Sequence, residues 1–108
     1  MAVRANLIID QGTDFTTTIT VTDVDGNPVN LTGYTGAAQM RKHYSSIKSY
    51  AFNVSANSAN GQVTLSMNAA TSNTIPFGRY VYDCELLSGN TISRIFEGIV
   101  TISPQVTR

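Results

Sequence analysis

Between Pro76 and Ile102 the chain reads PFGRYVYDCELLSGNTISRIFEGIVTI, and side-chain character alternates there at every second position. Tyr80, Tyr82, Cys84 and Leu86 interleave with Arg79, Val81, Asp83 and Glu85. Successive side chains of an extended strand point to opposite faces, so this spacing puts the first set on one face and the second, mostly polar set on the other. Leu87-Ser88-Gly89-Asn90 supplies a turn, because Gly and Asn tolerate positive φ. The return stretch, Thr91 to Ile102, is rich in β-branched residues that suit a pleated surface. A long β-hairpin is predicted, and a chain committed to it must build its core around a sheet.

The same period runs through the rest of the chain. Ala5 to Ile9 (ANLII) is a short apolar run suited to an edge strand. From Phe15 to Asp23, Phe15, Thr17, Ile19 and Val21 alternate with Thr16, Thr18, Thr20 and Thr22, the pattern of a strand with one wet face. Asp25-Gly26-Asn27-Pro28 closes it with a turn. A third strand over 35–42 carries Ala38 and Met40 on one face and Gln39 and Arg41 on the other, and Gly36, Ala37 and Ala38 indicate close packing. Tyr50, Phe52 and Val54 form a fourth strand. Asn57 to Gly61 ends in Asn-Gly, a hairpin signal, and Val63, Leu65 and Met67 form a fifth. Asn68 caps a single helical turn before the final hairpin. About seven short strands separated by turn signals predict an antiparallel sandwich or barrel.

The 108 residues make one domain, with 1–4 and 104–108 as short tails. Seven acidic and seven basic residues leave a net charge of zero, which removes the electrostatic footprint of a nucleic-acid binder. Only 13% of residues are charged, about half the usual share, and Thr, Ser and Asn take their place. Such a neutral surface suits a protein that packs among copies of itself, and it also occurs in lone secreted β domains. No apolar run approaches the ~20 residues that span a bilayer, and the N-terminus is too short in apolar residues for a signal peptide. The expectation is a soluble chain with no membrane partner.

Residues with chemical potential are few. The single cysteine, Cys84, falls on the apolar face of a predicted strand and reads as a small buried hydrophobe. His43 is the only histidine, sits in a polar loop and accompanies no nucleophile-elbow motif. One His and one Cys far apart do not make a zinc site. Asp83 and Glu85 share a strand face, where acids two apart read as solvated charge or as partners for Arg94 on the return strand. Asp23 to Asn27 has the look of part of a calcium loop but lacks its later Glu and flanking helices, so a β-turn is the better reading. Arg41, Lys42, His43 and Lys48, beside Tyr44 and Tyr50, read as a solvated basic loop. Asn30-Leu31-Thr32 and Asn53-Val54-Ser55 match the glycosylation pattern but read as strand composition. No catalytic residue, cofactor or metal is expected, and the chain is read as no enzyme.

Two resemblances bear on function. Gly78-Arg79-Tyr80-Val81-Tyr82-Asp83-Cys84 resembles the penultimate strand of an immunoglobulin-like domain, where a Tyr stands two residues before a Cys; the second Cys of that family is absent. More broadly, the chain resembles small virion proteins of tailed bacteriophages, including immunoglobulin-like baseplate and tail modules. The resemblance runs through Val29-Asn30-Leu31-Thr32-Gly33-Tyr34-Thr35, Ala37 to Arg41, Gly61 to Leu65, Gly78 to Asp83 and Arg94 to Pro104. It implies a single antiparallel immunoglobulin-like sandwich of about seven strands acting as a virion structural protein of tail, baseplate or fibre attachment. It also implies other virion proteins as partners, repeated copies, and location in the virion after synthesis in the host cytoplasm. Alternatives are a capsid-decoration protein and a receptor- or carbohydrate-binding sandwich with Tyr34, Tyr44 and Tyr50 near one loop end. The expected interaction surface comprises Arg79, Asp83 and Glu85 on the hairpin's wet face and the N-terminal run Leu7, Ile8 and Ile9, with the C-terminal tail as a further contact segment.

Overall fold

The computed structural model describes residues 3–56 and 59–106. Its elements are β1 (Val3–Arg4), β2 (Leu7–Asp10), β3 (Phe15–Thr20), β4 (Thr35–Arg41), β5 (Tyr50–Ser55), β6 (Gln62–Met67), α1 (Ala69–Ser72), β7 (Gly78–Ser88) and β8 (Thr91–Ser103). The alternation read from the sequence is the alternation of burial. Tyr80, Tyr82, Cys84 and Leu86 of β7 point inward, as do Val63, Leu65 and Met67 of β6 and Ala38 and Met40 of β4. The helical turn is capped as expected, with the Asn68 side chain accepting from the Thr71 N–H at 2.8 Å. Asn57 and Ser58 of the predicted Asn-Gly hairpin lie outside the described residues.

The strand after Phe15 ends at Thr20, not Asp23, because the backbone beyond it bonds elsewhere. The Val21 N–H donates to the Gly61 carbonyl at 2.7 Å and the Val21 carbonyl accepts from Val29 N–H at 2.9 Å. Gly61 has φ +74, and a Cβ there would stand 2.6 Å from the Val21 oxygen, so only glycine allows this approach.

The strands form one mostly antiparallel sheet curled nearly into a barrel. Across it the order is β8, β7, β4, β5, β6, β3, with β1 and β2 lying in succession along the outer edge of β8. A wholly antiparallel arrangement is corrected at that edge, since both N-terminal pieces run parallel to β8. The sheet bends at β5. Tyr50, Ala51 and Phe52 pair with β4, and Asn53, Val54 and Ser55 pair with β6. Phe15–Phe52 and Phe52–Tyr82 ring contacts at 6.2 and 6.1 Å carry the core across the interior from β3 to β7. Gly36 permits close packing at the bend, where a Cβ would meet Val54 Cγ1 at 2.5 Å.

The two edges of the sheet, β2 and β3, are joined by residues 11–14 alone, and α1 locks that corner. Ser72, the buried polar residue of the described chain, accepts from Gly12 N–H at 3.1 Å and donates to the Thr13 carbonyl at 2.8 Å. Gln11 Nε2 donates to the Ile75 carbonyl at 2.8 Å, and Asp14 Oδ1 accepts from Ala69 N–H at 2.7 Å. The C-terminal tail begins later than residue 104. Gln105 donates from its backbone to Gln11 Oε1 at 3.3 Å and from its side chain to Asn73 Oδ1 at 2.6 Å. Of the expected N-terminal tail, Val3–Arg4 is β1; Met1, Ala2, Thr107 and Arg108 lie outside the described residues.

β1 and β2 are interrupted where they cross Gly98. Ala5 N–H donates to the Glu97 carbonyl at 2.9 Å, Tyr82 Oη donates to the Ala5 carbonyl at 2.5 Å, and Asn6 Oδ1 accepts from Ile99 N–H at 3.0 Å. A Cβ on residue 98 would stand 2.4 Å from the Ala5 oxygen. Two variants test these supports by equilibrium urea denaturation. Ser72→Ala leaves its two backbone partners unmatched and is expected to cost about 1–3 kcal/mol. Gly98→Ala forces the N-terminal strand outward and is expected to cost about 1–3 kcal/mol.

Candidate interaction surface

The outward face of the β7–β8 hairpin depends on one irregularity. Strict alternation would put Arg94 on the same face as Phe96. Cys84 pairs with Phe96 and Glu85 with Arg94, so Ile95 is the extra residue of a β-bulge. The bulge leaves Phe96 in the core, packs Ile95 against it, and turns Ile92 and Arg94 outward. Arg94 then lies 3.4 Å from Asp83 and 3.7 Å from Glu97, and Arg4 of β1 reaches Glu97 at 3.9 Å. The expected partnership of Arg94 with the hairpin's acids is made through Asp83. These groups are well exposed, so each pair stabilises by at most about 1 kcal/mol.

The expected trio Arg79, Asp83 and Glu85 does not form one cluster. Arg79 precedes Asp83 by four residues on one strand, roughly 13 Å away. It lies with Lys42, His43 and Ile99 around a shallow depression at the other end of the face. The N-terminal run divides by the same period of two. Ile8 is 70% exposed, whereas Leu7 and Ile9 are core residues at 8% and 0%. Leu7 and Ile9 are therefore corrected from surface to core, because β2 is paired along β8 with one face turned inward.

The basic loop between β4 and β5 is folded on itself. Arg41 donates to the carbonyls of Ser46 and Ile47 at 2.6 and 3.0 Å, and the His43 N–H donates to Ser46 Oγ at 3.0 Å. Beside it opens a cleft of about 340 Å³ lined by Lys42, Ser46, Lys48, Tyr50, Pro76, Phe77 and Tyr80. Tyr50 and Tyr80 meet edge to face at 6.1 Å, and each ring carries an ammonium: Lys42 Nζ at 5.0 Å from Tyr80 and Lys48 Nζ at 5.4 Å from Tyr50. Gly78, at φ +136, lies beside the Lys42 ammonium. Tyr80 Oη donates to the Pro76 carbonyl at 2.7 Å and so fixes the segment that presents Phe77, itself 65% exposed. Burial, then the neighbouring Tyr50, pushes the Tyr80 hydroxyl pKa up.

The tyrosines expected to mark a sugar site do not come together. Tyr50 lines this cleft, Tyr44 lines a separate depression with Gln39, Arg41 and Asp83, and Tyr34 precedes the far end of β4, roughly 20 Å away along the strand. Sequence reading missed the cleft because Tyr80 follows the inward alternation and Phe77 sits in a turn. Only the fold brings their segment beside the 42–50 loop.

The Asp23 to Asn27 segment is the turn expected of it. Asp23 Oδ1 accepts from Asp25 N–H at 2.9 Å and from Asn27 N–H at 3.0 Å, and Gly26 sits at φ +85. Comparison with models of known protein families gives no match, and comparison with curated protein sequences gives no significant one.

Cys84 is fully buried. Burial first, then the nearby carboxylates of Asp83 and Glu85, pushes its thiol from an ordinary 9.0 up to about 12. Burial and then Cys84 push the Tyr82 hydroxyl from 10.0 up to about 12. Both groups are neutral when protonated, and the unfolded chain releases these protons at lower pH than the folded one. Their contribution is therefore full below about pH 9 and declines toward pH 12, by about 1.4 kcal/mol per pH unit for each group titrating. Alkaline urea titrations are expected to show that decline. Iodoacetamide at about pH 8 is expected to label Cys84 only after unfolding, since the thiolate is the reactive form.

Proposed function

We propose that this chain is a non-enzymatic structural component of a tailed-phage virion, present in repeated copies and acting by packing against other virion proteins. The immunoglobulin-like reading belongs to this proposal. Its support is the pair Tyr82 and Cys84, buried on one strand face, and a single core shared by the strands on either side of β5.

The observation that carries the packing role is the end of the β7–β8 hairpin. Leu87 and Ile92 face each other across the two strands, 41% and 65% exposed. The bulge at Ile95 is what turns Ile92 to the outside. A depression of about 180 Å³ lies beside the pair, lined by Thr35, Gly36, Ala37 and Leu86. An apolar cross-strand pair held in water at the end of a stiff ribbon is suited to insertion against a neighbour. The outer edges of β2 and β3, each paired on one side among the described residues, offer backbone groups for the same purpose. Of the residues with chemical potential, the Cys84 thiol is buried, Ser72 is held by the closing corner, and Asp83 pairs with Arg94.

Removing residues 1–9 does not test this role, because it removes Leu7 and Ile9 from the core. The informative experiment is mass spectrometry of purified particles from the phage that encodes the chain. The chain is expected among the virion proteins, at a small multiple of about three or six copies for a tail or baseplate position, or on the order of hundreds for shell decoration. Leu87→Ser with Ile92→Ser is expected to reduce incorporation at least about tenfold while leaving the fold intact, because both side chains are exposed. Absence from particles, or undiminished incorporation of the double variant, would overturn the reading.

A further inference from the structure

Two surfaces at opposite ends of the sheet complement each other. β3, β6, β5 and β4 are successively antiparallel, so the loop after β3 and the loop after β4 lie at opposite ends. The loop after β3 carries Asp23-Val24-Asp25, with Val24 fully exposed at 101% between two carboxylates. The loop after β4 forms one wall of the aromatic cleft, with Lys42 and Lys48 at its rim. Among the described residues the ion pairs are Arg4–Glu97, Arg94–Asp83 and Arg94–Glu97. Lys42, Lys48, Asp23 and Asp25 take part in none of them.

We propose that the Asp23-Val24-Asp25 turn of one copy of this chain docks in the Tyr50–Phe77–Tyr80 cleft of the next. Val24 enters against the Pro76 and Phe77 wall, and the carboxylates reach Lys42 and Lys48. The inference takes its setting from the reading of the chain as a repeated packing unit, and the contact itself rests on these two surfaces.

A lone exposed valine is ordinary, and so is a solvated lysine. The two surfaces match in sign and character: two carboxylates flank a valine on the knob, and two ammonium groups lie over aromatic rings in the socket. The knob is also rigid. Asp23 Oδ1 accepts from Asp25 and Asn27, and Asp23 N–H donates to the Asn27 carbonyl at 2.9 Å, so little conformational freedom is lost on docking. The socket is held in the same way. Tyr80 fixes the Pro76 carbonyl, and Arg41 fixes the 46–47 backbone. The ammonium groups already lie over the tyrosine rings, where they help cover apolar surface and remain free to meet an anion.

The contact is head to tail, so each copy uses one knob and one socket. Such heterologous contacts close into a ring or continue as a filament. The charge arrangement suits this, because Asp23 and Asp25 stand at one end of the sheet and Lys42 and Lys48 at the other. The surfaces are small, so one contact is weak, and simultaneous engagement in an array supplies the avidity.

Sedimentation velocity on the purified full chain tests the inference. Association is expected at concentrations approaching about 1 mM, weakening as salt is raised because the rim pairs are exposed. Lys42→Glu with Lys48→Glu is expected to weaken it at least about tenfold, and Asp25→Lys likewise, with far-UV circular dichroism unchanged. Mixing the two variants is expected to restore one contact per pair, since the lysine variant keeps the native knob and the Asp25→Lys chain keeps the native socket. Independently, Val24→Cys chains mixed with Phe77→Cys chains under mild oxidation are expected to yield a disulfide-linked pair, and Val24→Cys with Ile8→Cys chains are not; Cys84 is buried and stays out of the reaction.

A wild-type chain that stays monomeric at about 1 mM would overturn the contact. So would association insensitive to both charge variants, or a cleft that binds a small anion but never cross-links to residue 24. Presence in particles without this self-contact leaves the virion role standing and removes the inference. Self-contact by a chain absent from particles does the reverse.

Discussion

The fold depends on a tether. A sheet that begins at β2 and ends at β3 has its first and last members joined by residues 11–14 alone, so its two edges cannot lie far apart and the sheet must curl. The curl brings unpaired backbone groups to the corner, where they need partners once partly buried. Ser72 answers that need with one oxygen that both accepts and donates, and Gln11, Asp14 and Gln105 complete the set. The short helix is thus a clasp: its four residues exist to place a hydroxyl at the seam.

Three local devices reconcile this curl with a packed interior. Phe52 at the bend touches Phe15 on one side and Tyr82 on the other. Gly36 and Gly98 remove side chains where neighbouring elements come too close for a Cβ. The bulge at Ile95 rephases the longest strand so that a cation leaves the core face and a phenylalanine stays on it. The bulge departs from regular strand geometry because a strictly alternating strand would place Arg94 on the core face, and the ring contacts and glycines fit the packing to the curve.

The surface follows from the same geometry. Ion pairs gather where the bulge turns Arg94 between Asp83 and Glu97. The remaining basic residues of the β4–β5 loop stand apart with aromatic rings, and the Asp23 turn stands at the opposite end. Of the expected surface, Asp83 and Glu85 lie on the hairpin's outward face as the alternation predicts, Arg79 belongs to the basic end, and of the N-terminal run Ile8 is exposed while Leu7 and Ile9 belong to the core. Of the aromatic cleft only the basic loop with Lys42, Lys48 and Tyr50 was legible, and its facing wall of Pro76, Phe77 and Tyr80 was not. Its walls come from residues 42–50 and 76–80, distant in sequence, and Tyr80 carries the signature of an ordinary inward strand residue.

The sequence by itself determined the strands, their inward faces, the turns at Asp23 and Leu87, and the cap at Asn68. These are decided by period-two patterning and by backbone preferences that act within a few residues. It also determined the neutral, hydroxyl-rich exterior, which is composition. Tertiary structure alone decided the rest. It decided that β1 and β2 run parallel to β8, that the sheet bends through β5 toward closure, that a bulge sets Arg94 outward, and that Lys42, Lys48, Phe77 and Tyr80 share one cleft. These are pairings between segments far apart in the chain, and local pattern carries no record of which strand edge meets which, or in what direction.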